Sequence, residues 1–134
     1  MPLTLADWTQ AYAQGASPRT LLKPHLDAST QADPAWIWRA GADQLSAQLD
    51  ALETRAAAFA DRAAALRAMP LFGVPYAVKD NIDVRDWGTT AACPAFGYRA
   101  GADAHAVARL REAGAICVGK TNLDQFATGL VGTR

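Results

Sequence analysis

Lys23, Lys79 and Lys120 are the only lysines among thirteen basic residues, and two of the three sit in segments that could do chemistry. Lys79 follows Gly73-Val74-Pro75-Tyr76-Ala77-Val78 and precedes Asp80-Asn81-Ile82-Asp83-Val84, so an apolar, strand-like run delivers an amine into polar surroundings. An ammonium against apolar neighbours loses hydration, which favours the neutral amine and lets it act as a base. A structural ion pair with Asp80 or Asp83 explains the same residues, and the segment alone supports both readings. Lys120 lies in Gly114-Ala115-Ile116-Cys117-Val118-Gly119-Lys120-Thr121, which satisfies the phosphate-loop pattern G-x-x-x-x-G-K-[ST]. A phosphate cradle needs a strand before the first glycine, a small or polar loop between the glycines, and a helix from the lysine onward. Here the expected helix precedes Gly114 and the four intervening residues read as the strand itself. Nucleotide binding is therefore not expected, and Lys120 reads as a polar residue at a strand end.

A third chemistry, a cysteine hydrolase built from Cys93, His105 and Asp103, has the right residue types. Its spacing is wrong, because Asp103 and His105 fall in the first turn of a helix, where residues two apart do not face each other. Asp103 as a helix cap and His105 as a solvated residue is the simpler reading. Cys93 and Cys117 form no Cys-x-x-Cys pair, and two histidines add little, so neither a disulfide framework nor a metal centre is signalled.

Composition narrows the class. The 134 residues are 51% hydrophobic and 19% charged, with thirteen acids against thirteen bases, as in an ordinary globular domain. A net charge of zero gives no footprint for nucleic acid. No apolar run approaches the roughly 18 residues of a membrane span, and the start lacks a basic stretch followed by an apolar one, so a cytoplasmic location is expected.

The elements that must position these groups divide the chain at residue 69, with a helical region over 1–69 and a different texture over 70–134. Thr4 and Asp7 form a capping-box pattern before a helix that carries Trp8 and Tyr12 on one face and closes at Gly15. Ser17-Pro18 starts a second helix, which Pro24 is expected to kink or end. Trp36-Ile37-Trp38 reads as a short extended segment. Leu45, Leu49, Leu52, Ala56, Phe59, Ala63 and Leu66 recur at helical spacing, which predicts one long amphipathic helix from Asp43 to Met69, stopped by Pro70 and packed on a sheet. After Pro70, Val74–Val78 reads as a strand and 81–101 as loop. A helix capped by Asp103 then carries Val107 and Leu110 inward to Gly114, and Ala115–Val118 is a buried strand. Strand, crossover helix and strand make an α/β sheet. Residues 119–134 read as loop with one helical turn near Leu123–Phe126, and the chain looks cut at its C-terminus.

Pro70-Leu71-Phe72-Gly73-Val74-Pro75-Tyr76-Ala77-Val78-Lys79-Asp80-Asn81-Ile82-Asp83-Val84, then Thr89-Thr90-Ala91, then Gly114–Asn122 resemble, in order, the N-terminal side of the amidase signature family. Ala91–Phe96 and Asn122–Arg134 are most similar to its allophanate-hydrolysing branch, although broader amidases more often place Gly-Ser where Ala92-Cys93 stands. The resemblance implies an α/β fold in which N-terminal helices precede the first strands and helix of a mixed sheet, here truncated. It also implies C–N hydrolysis of a small amide or ureido acid, without metal or organic cofactor, by a nucleophilic serine, a serine in a cis peptide, and a lysine that takes the proton through that bridge. Lys79 matches the lysine, with Asp80, Asn81, Thr121 and Asn122 as supporting residues. Ser17, Ser29 and Ser46 match neither serine, so the chain is expected to be an inactive N-terminal fragment. A homodimer and a functional link to a urea carboxylase are further expectations of the resemblance. The alternatives are a general amidase or the amidase-like component of an amidotransferase, both of the same family, and, from other classes, a nucleotide binder or a helical interaction module.

Overall fold

A reciprocal cap begins the first helix. The Thr4 hydroxyl accepts from the Asp7 amide, and the Asp7 carboxylate accepts from the Thr4 amide, before helix α1 (Leu5–Ala13). The computed structural model describes residues 2, 4–28 and 32–129, so Ser29 and the end of the resembling segment, residues 130–134, lie outside the described residues. Trp8 and Tyr12, one turn apart, are buried on the inner face of α1 as expected. The Tyr12 hydroxyl donates to the Gly73 carbonyl at 2.8 Å and ties α1 to the entry of the central strand. Gly73 has φ +67, and a Cβ there would come within 2.5 Å of the Tyr12 oxygen, so two constraints require glycine.

Helix α2 (Pro18–Ala28) runs through Pro24 rather than ending there. The proline removes one hydrogen bond to the Thr20 carbonyl, but Thr20 and Pro24 are both exposed, where water can replace it. Strand β1 (Trp36–Arg39) follows. The expected single helix from Asp43 to Met69 is two helices, α3 (Ala42–Ala57) and α4 (Arg62–Ala68). The break is set by Asp61, whose carboxylate accepts from the Ala64 amide at 2.8 Å and starts a new helix. The new helix is out of phase with the first. Leu45, Leu49 and Leu52 are buried as the stripe requires, whereas Phe59 is 38% exposed and Ala65, not Ala63, turns inward.

Strand β2 (Pro75–Lys79) ends on Lys79. A two-residue hairpin, β3 (Gly88–Thr89) with β4 (Tyr98–Arg99), interrupts the expected loop. Helix α5 (His105–Glu112) leads to β5 (Ile116–Thr121), longer than expected because Gly119, Lys120 and Thr121 continue the strand. Asp103 is not the cap of α5: Ala104 occupies that position, while Asp103 accepts from the Arg85 amide and pairs with Arg111. The main sheet has the order β1-β5-β2, with β2 parallel and β1 antiparallel to the central β5. The mixed α/β architecture is the one expected.

One irregularity fixes which side chains share a face. Tyr76 pairs with Cys117 but Ala77 pairs with Gly119, so Val118 is an extra residue in β5. Beyond this bulge, Val78 pairs with Lys120 and Lys79 with Thr121. Gly119 passes beneath Trp36, where a Cβ would come within 2.7 Å of the ring. The larger core joins α1 to α4 with Phe72, Val74, Ile116 and Val118, drawing on both sides of residue 69. A smaller one, Val78, Val84, Val107 and Cys117, seats α5 on the sheet.

Candidate active site

The expected site residues gather at the C-terminal ends of the parallel strands β2 and β5, the end at which open α/β sheets bind ligands. Successive side chains of a strand point to opposite faces, and the sequence Val78-Lys79-Asp80 follows that alternation: buried, exposed, buried. Lys79 lies beside Thr121 on the open face, and no hydrogen bond or ion pair to its Nζ occurs among the described residues. The apolar surroundings expected around this amine are not supplied by the described residues. Its main chain is well held, with its carbonyl accepting from the Ile82 amide at 3.0 Å and the next amide, Asp80, donating to the Thr121 carbonyl at 3.1 Å.

The ion pair that sequence reasoning offered to Lys79 belongs to another lysine. Lys120 is 1% exposed, and its ammonium lies 2.9 Å from Oδ1 of Asp80, itself 0% exposed. The Lys120 Nζ also donates to the Gly88 carbonyl at 2.9 Å and to the Thr89 hydroxyl at 3.2 Å. Asp80 Oδ2 accepts from the Thr90 amide at 3.0 Å and from the Thr90 hydroxyl, while Oδ1 has the ammonium as its ion-pair partner and no aligned hydrogen-bond donor among the described residues. The network continues outward, because Asp83 Oδ1 accepts from the Thr89 hydroxyl at 2.8 Å and from the Tyr98 hydroxyl at 2.7 Å. Donation to that carboxylate holds the Tyr98 phenol above its ordinary range.

Asn81 is exposed beside Lys79, whereas Asn122 turns away to the start of β1. Its side chain donates to the Pro34 carbonyl at 3.1 Å, and its amide donates to the Ala35 carbonyl at 2.9 Å. A cavity of about 260 Å³ opens past the strand ends, lined by Ala92, Asp124, Gln125, Thr128 and Gly129. Two pairs of non-glycine residues with positive φ, Ala91–Ala92 and Phe126–Ala127, meet near it through the Phe126 amide and the Ala91 carbonyl, 2.9 Å apart. Sequence reasoning missed both the strained turns and the Asp80–Lys120 pair. The scarcity of lysine flagged Lys120 without showing that its partner is forty residues upstream.

The other chemistries, set aside in the sequence, do not assemble among the described residues either. The phosphate-loop pattern is strand from Ile116 to Thr121, and its lysine is engaged by Asp80. Cys93 is half-buried and His105 exposed, and Asp103 is held by Arg111. Burial pushes the Cys117 thiol up, away from the reactive thiolate. Among the described residues, no group of three or more His, Cys, Asp or Glu side chains could hold a metal ion.

The amidase family matches residues 40–134. The chain is 47% identical over 135 residues to urea amidolyase of Saccharomyces cerevisiae, covering 98% of this chain and 7% of that one. It superposes on Kluyveromyces lactis allophanate hydrolase with a TM-score of 0.80 at 40% identity, covering 98% of this chain and 21% of that one. Over a shorter stretch of 61 residues it is 51% identical to a glutamyl-tRNA(Gln) amidotransferase component of Methanococcoides burtonii, covering 45% of this chain and 13% of that one. The chain thus spans only a small part of the relatives it matches.

Proposed function

Because the chain belongs to the amidase family, we propose that it carries the lysine base of a serine-dependent C–N hydrolase whose substrate is a small ureido acid of the allophanate type, released as ammonia and carbon dioxide. The observation that carries this reading is the setting of Lys79: an amine at the end of a parallel strand, held by its main chain and left without a side-chain partner among the described residues. Such an amine is available to take a proton once its surroundings are dry. Ser17 is exposed ahead of α2 and Ser46 lies on α3, so neither is placed to be the nucleophile. In this reading the nucleophilic and bridging serines, and the N–H donors for the oxyanion, come from polypeptide outside these 134 residues. The same polypeptide would cover the open face and desolvate Lys79. In this reading Thr121, paired with Lys79 across the strands, and Asn81, two residues on, are its supporting neighbours, while Asp80 fixes the strand end and Asn122 ties β5 to the start of β1.

The likeness to urea amidolyase supports a functional link to a urea carboxylase, and we extend the proposal to a cytoplasmic homodimer. The likeness to an amidotransferase component favours a second reading, in which the amide hydrolysed is that of glutamine. The test is ammonia release by the full-length product of the gene, with allophanate, simple amides and glutamine compared. Allophanate is expected to be preferred, with Lys79→Ala lowering turnover by about 10² to 10⁴, the span of lost general base catalysis. Lys79→Arg should recover little, because a guanidinium stays protonated. Near-normal turnover in the arginine variant would remove Lys79 from the base role. The 134-residue chain alone is expected to release no ammonia.

A further inference from the structure

The geometry points to Asp80 and Lys120 as positioning residues for Lys79, acting as a buried charge clamp on the opposite face of the sheet. This inference rests on the hydrolase reading above. A buried ion pair is a poor device for stability alone, since apolar replacements of similar volume are often as stable. What distinguishes this pair is where its contacts go. The Asp80 carboxylate holds the amide and hydroxyl of Thr90, and the Asp80 carbonyl accepts from the Ala91 amide at 3.0 Å. Lys120 holds the Gly88 carbonyl and the Thr89 hydroxyl. These contacts join residues 88–91 to the end of β2, where Lys79 is the last residue, and to its parallel neighbour β5 through Lys120.

Beyond that clamp the chain turns through Ala91 and Ala92, with φ of 50 and 59, a conformation that persists in non-glycine residues only when the surroundings impose it. Lys79 has no side-chain partner of its own among the described residues. Its direction is therefore set by the main chain that Asp80 and Lys120 fix. A positioning role is separable from a merely structural one, because it changes turnover per folded molecule rather than the amount of folded protein.

The experiment uses the full-length gene product with allophanate. Wild type and Lys79→Ala are measured first. Then Asp80→Asn/Lys120→Met, which removes both charges and leaves neither unpaired, and Thr90→Val, which keeps the shape of the side chain and deletes its hydroxyl, are measured per folded molecule. We expect kcat to fall by about 10²-fold in the double variant, the scale of a displacement of about 1 Å in a reacting group, and to a lesser extent in Thr90→Val, with KM changed less than about threefold. An Asp80–Lys120 pair that only supports folding predicts normal kcat in both variants once folded protein is counted, and that result overturns the inference while leaving the hydrolase reading intact. If the double variant does not fold, Thr90→Val decides alone: reduced kcat at unchanged KM supports the clamp, and unchanged kcat overturns it. A wild-type product that hydrolyses no amide overturns the function and the inference together.

Discussion

Lys79 and Lys120 lie on neighbouring strands one register step apart, and their environments are opposite. Lys120 is sealed with Asp80 beneath residues 88–90, its ammonium held by the Asp80 carboxylate, the Gly88 carbonyl and the Thr89 hydroxyl. Lys79 faces the open side, and among the described residues only its main chain is held. The difference separates two uses of a scarce residue. One charge organises the architecture and is already committed to a partner, while the other is presented for use.

The comparison can be broken most directly at Lys120. Removing its ammonium by Lys120→Met leaves Asp80 buried without a counter-charge, which is expected to destabilise the chain by about 3–5 kcal/mol. A loss under about 1 kcal/mol by chemical denaturation would show that the pair is hydrated and that the contrast is false.

Asp103 and Arg111 make an intermediate case, with a nearly covered carboxylate and a half-exposed guanidinium. Burial opposes ionisation of Asp103, but the hydrogen bonds from Arg111 and the Arg85 amide, with the two positive charges, hold its carboxyl below the usual carboxylate range. A value depressed on folding contributes stability that is present above the unfolded value of about 4 and is lost as pH falls through the folded one. Asp103→Asn should therefore cost about 1 kcal/mol at neutral pH and flatten the acid limb of the stability profile. An unchanged acid limb would place this pair with the inert surface bridges.

A smaller effect is expected at Lys79, where Lys79→Met should alter stability by no more than about 0.5 kcal/mol, as an exposed substitution does. A shift of several kcal/mol in this variant would reveal a partner and merge the two lysines into one class. Least of all is expected from nucleotide. Millimolar Mg-ATP should leave the melting temperature unchanged, because a ligand raises it only by binding the folded state and the Lys120 ammonium is already occupied.

What was legible in the sequence was mostly local. The Thr4–Asp7 box, the buried faces of Trp8 and Tyr12, the strand ending at Lys79 and the parallel partner after Gly114 all follow from short-range pattern. The split of α3 from α4 was hidden because the apolar stripe continues through the break, and Asp61 reads as one more polar position until its capping bond is seen. Asp103 was misread for the converse reason. It has the right type and place for a cap, but Arg111, two turns along the helix, offers a charged partner that a cap would forgo. The Asp80–Lys120 pair was illegible because it depends on the pairing of two strands and on a bulge between them.

That bulge makes β5 a strand of counted length. With Val118 inserted, Cys117 and Lys120 point to the same side as Tyr76 and Val78; in a regular strand, residues three apart would point to opposite sides. Were β5 to run regularly through Val118, Gly119 would pair with Val78 and Lys120 with Lys79, which would carry the ammonium across the sheet to the Lys79 side and strand the Asp80 carboxylate. Deleting Val118 itself should instead keep Lys120 opposite Val78 in a regular strand, so the fold depends on the bulge only while the extra residue is present. The spacing between the glycine and the lysine, which imitates a nucleotide motif, is in this light a measure of sheet parity.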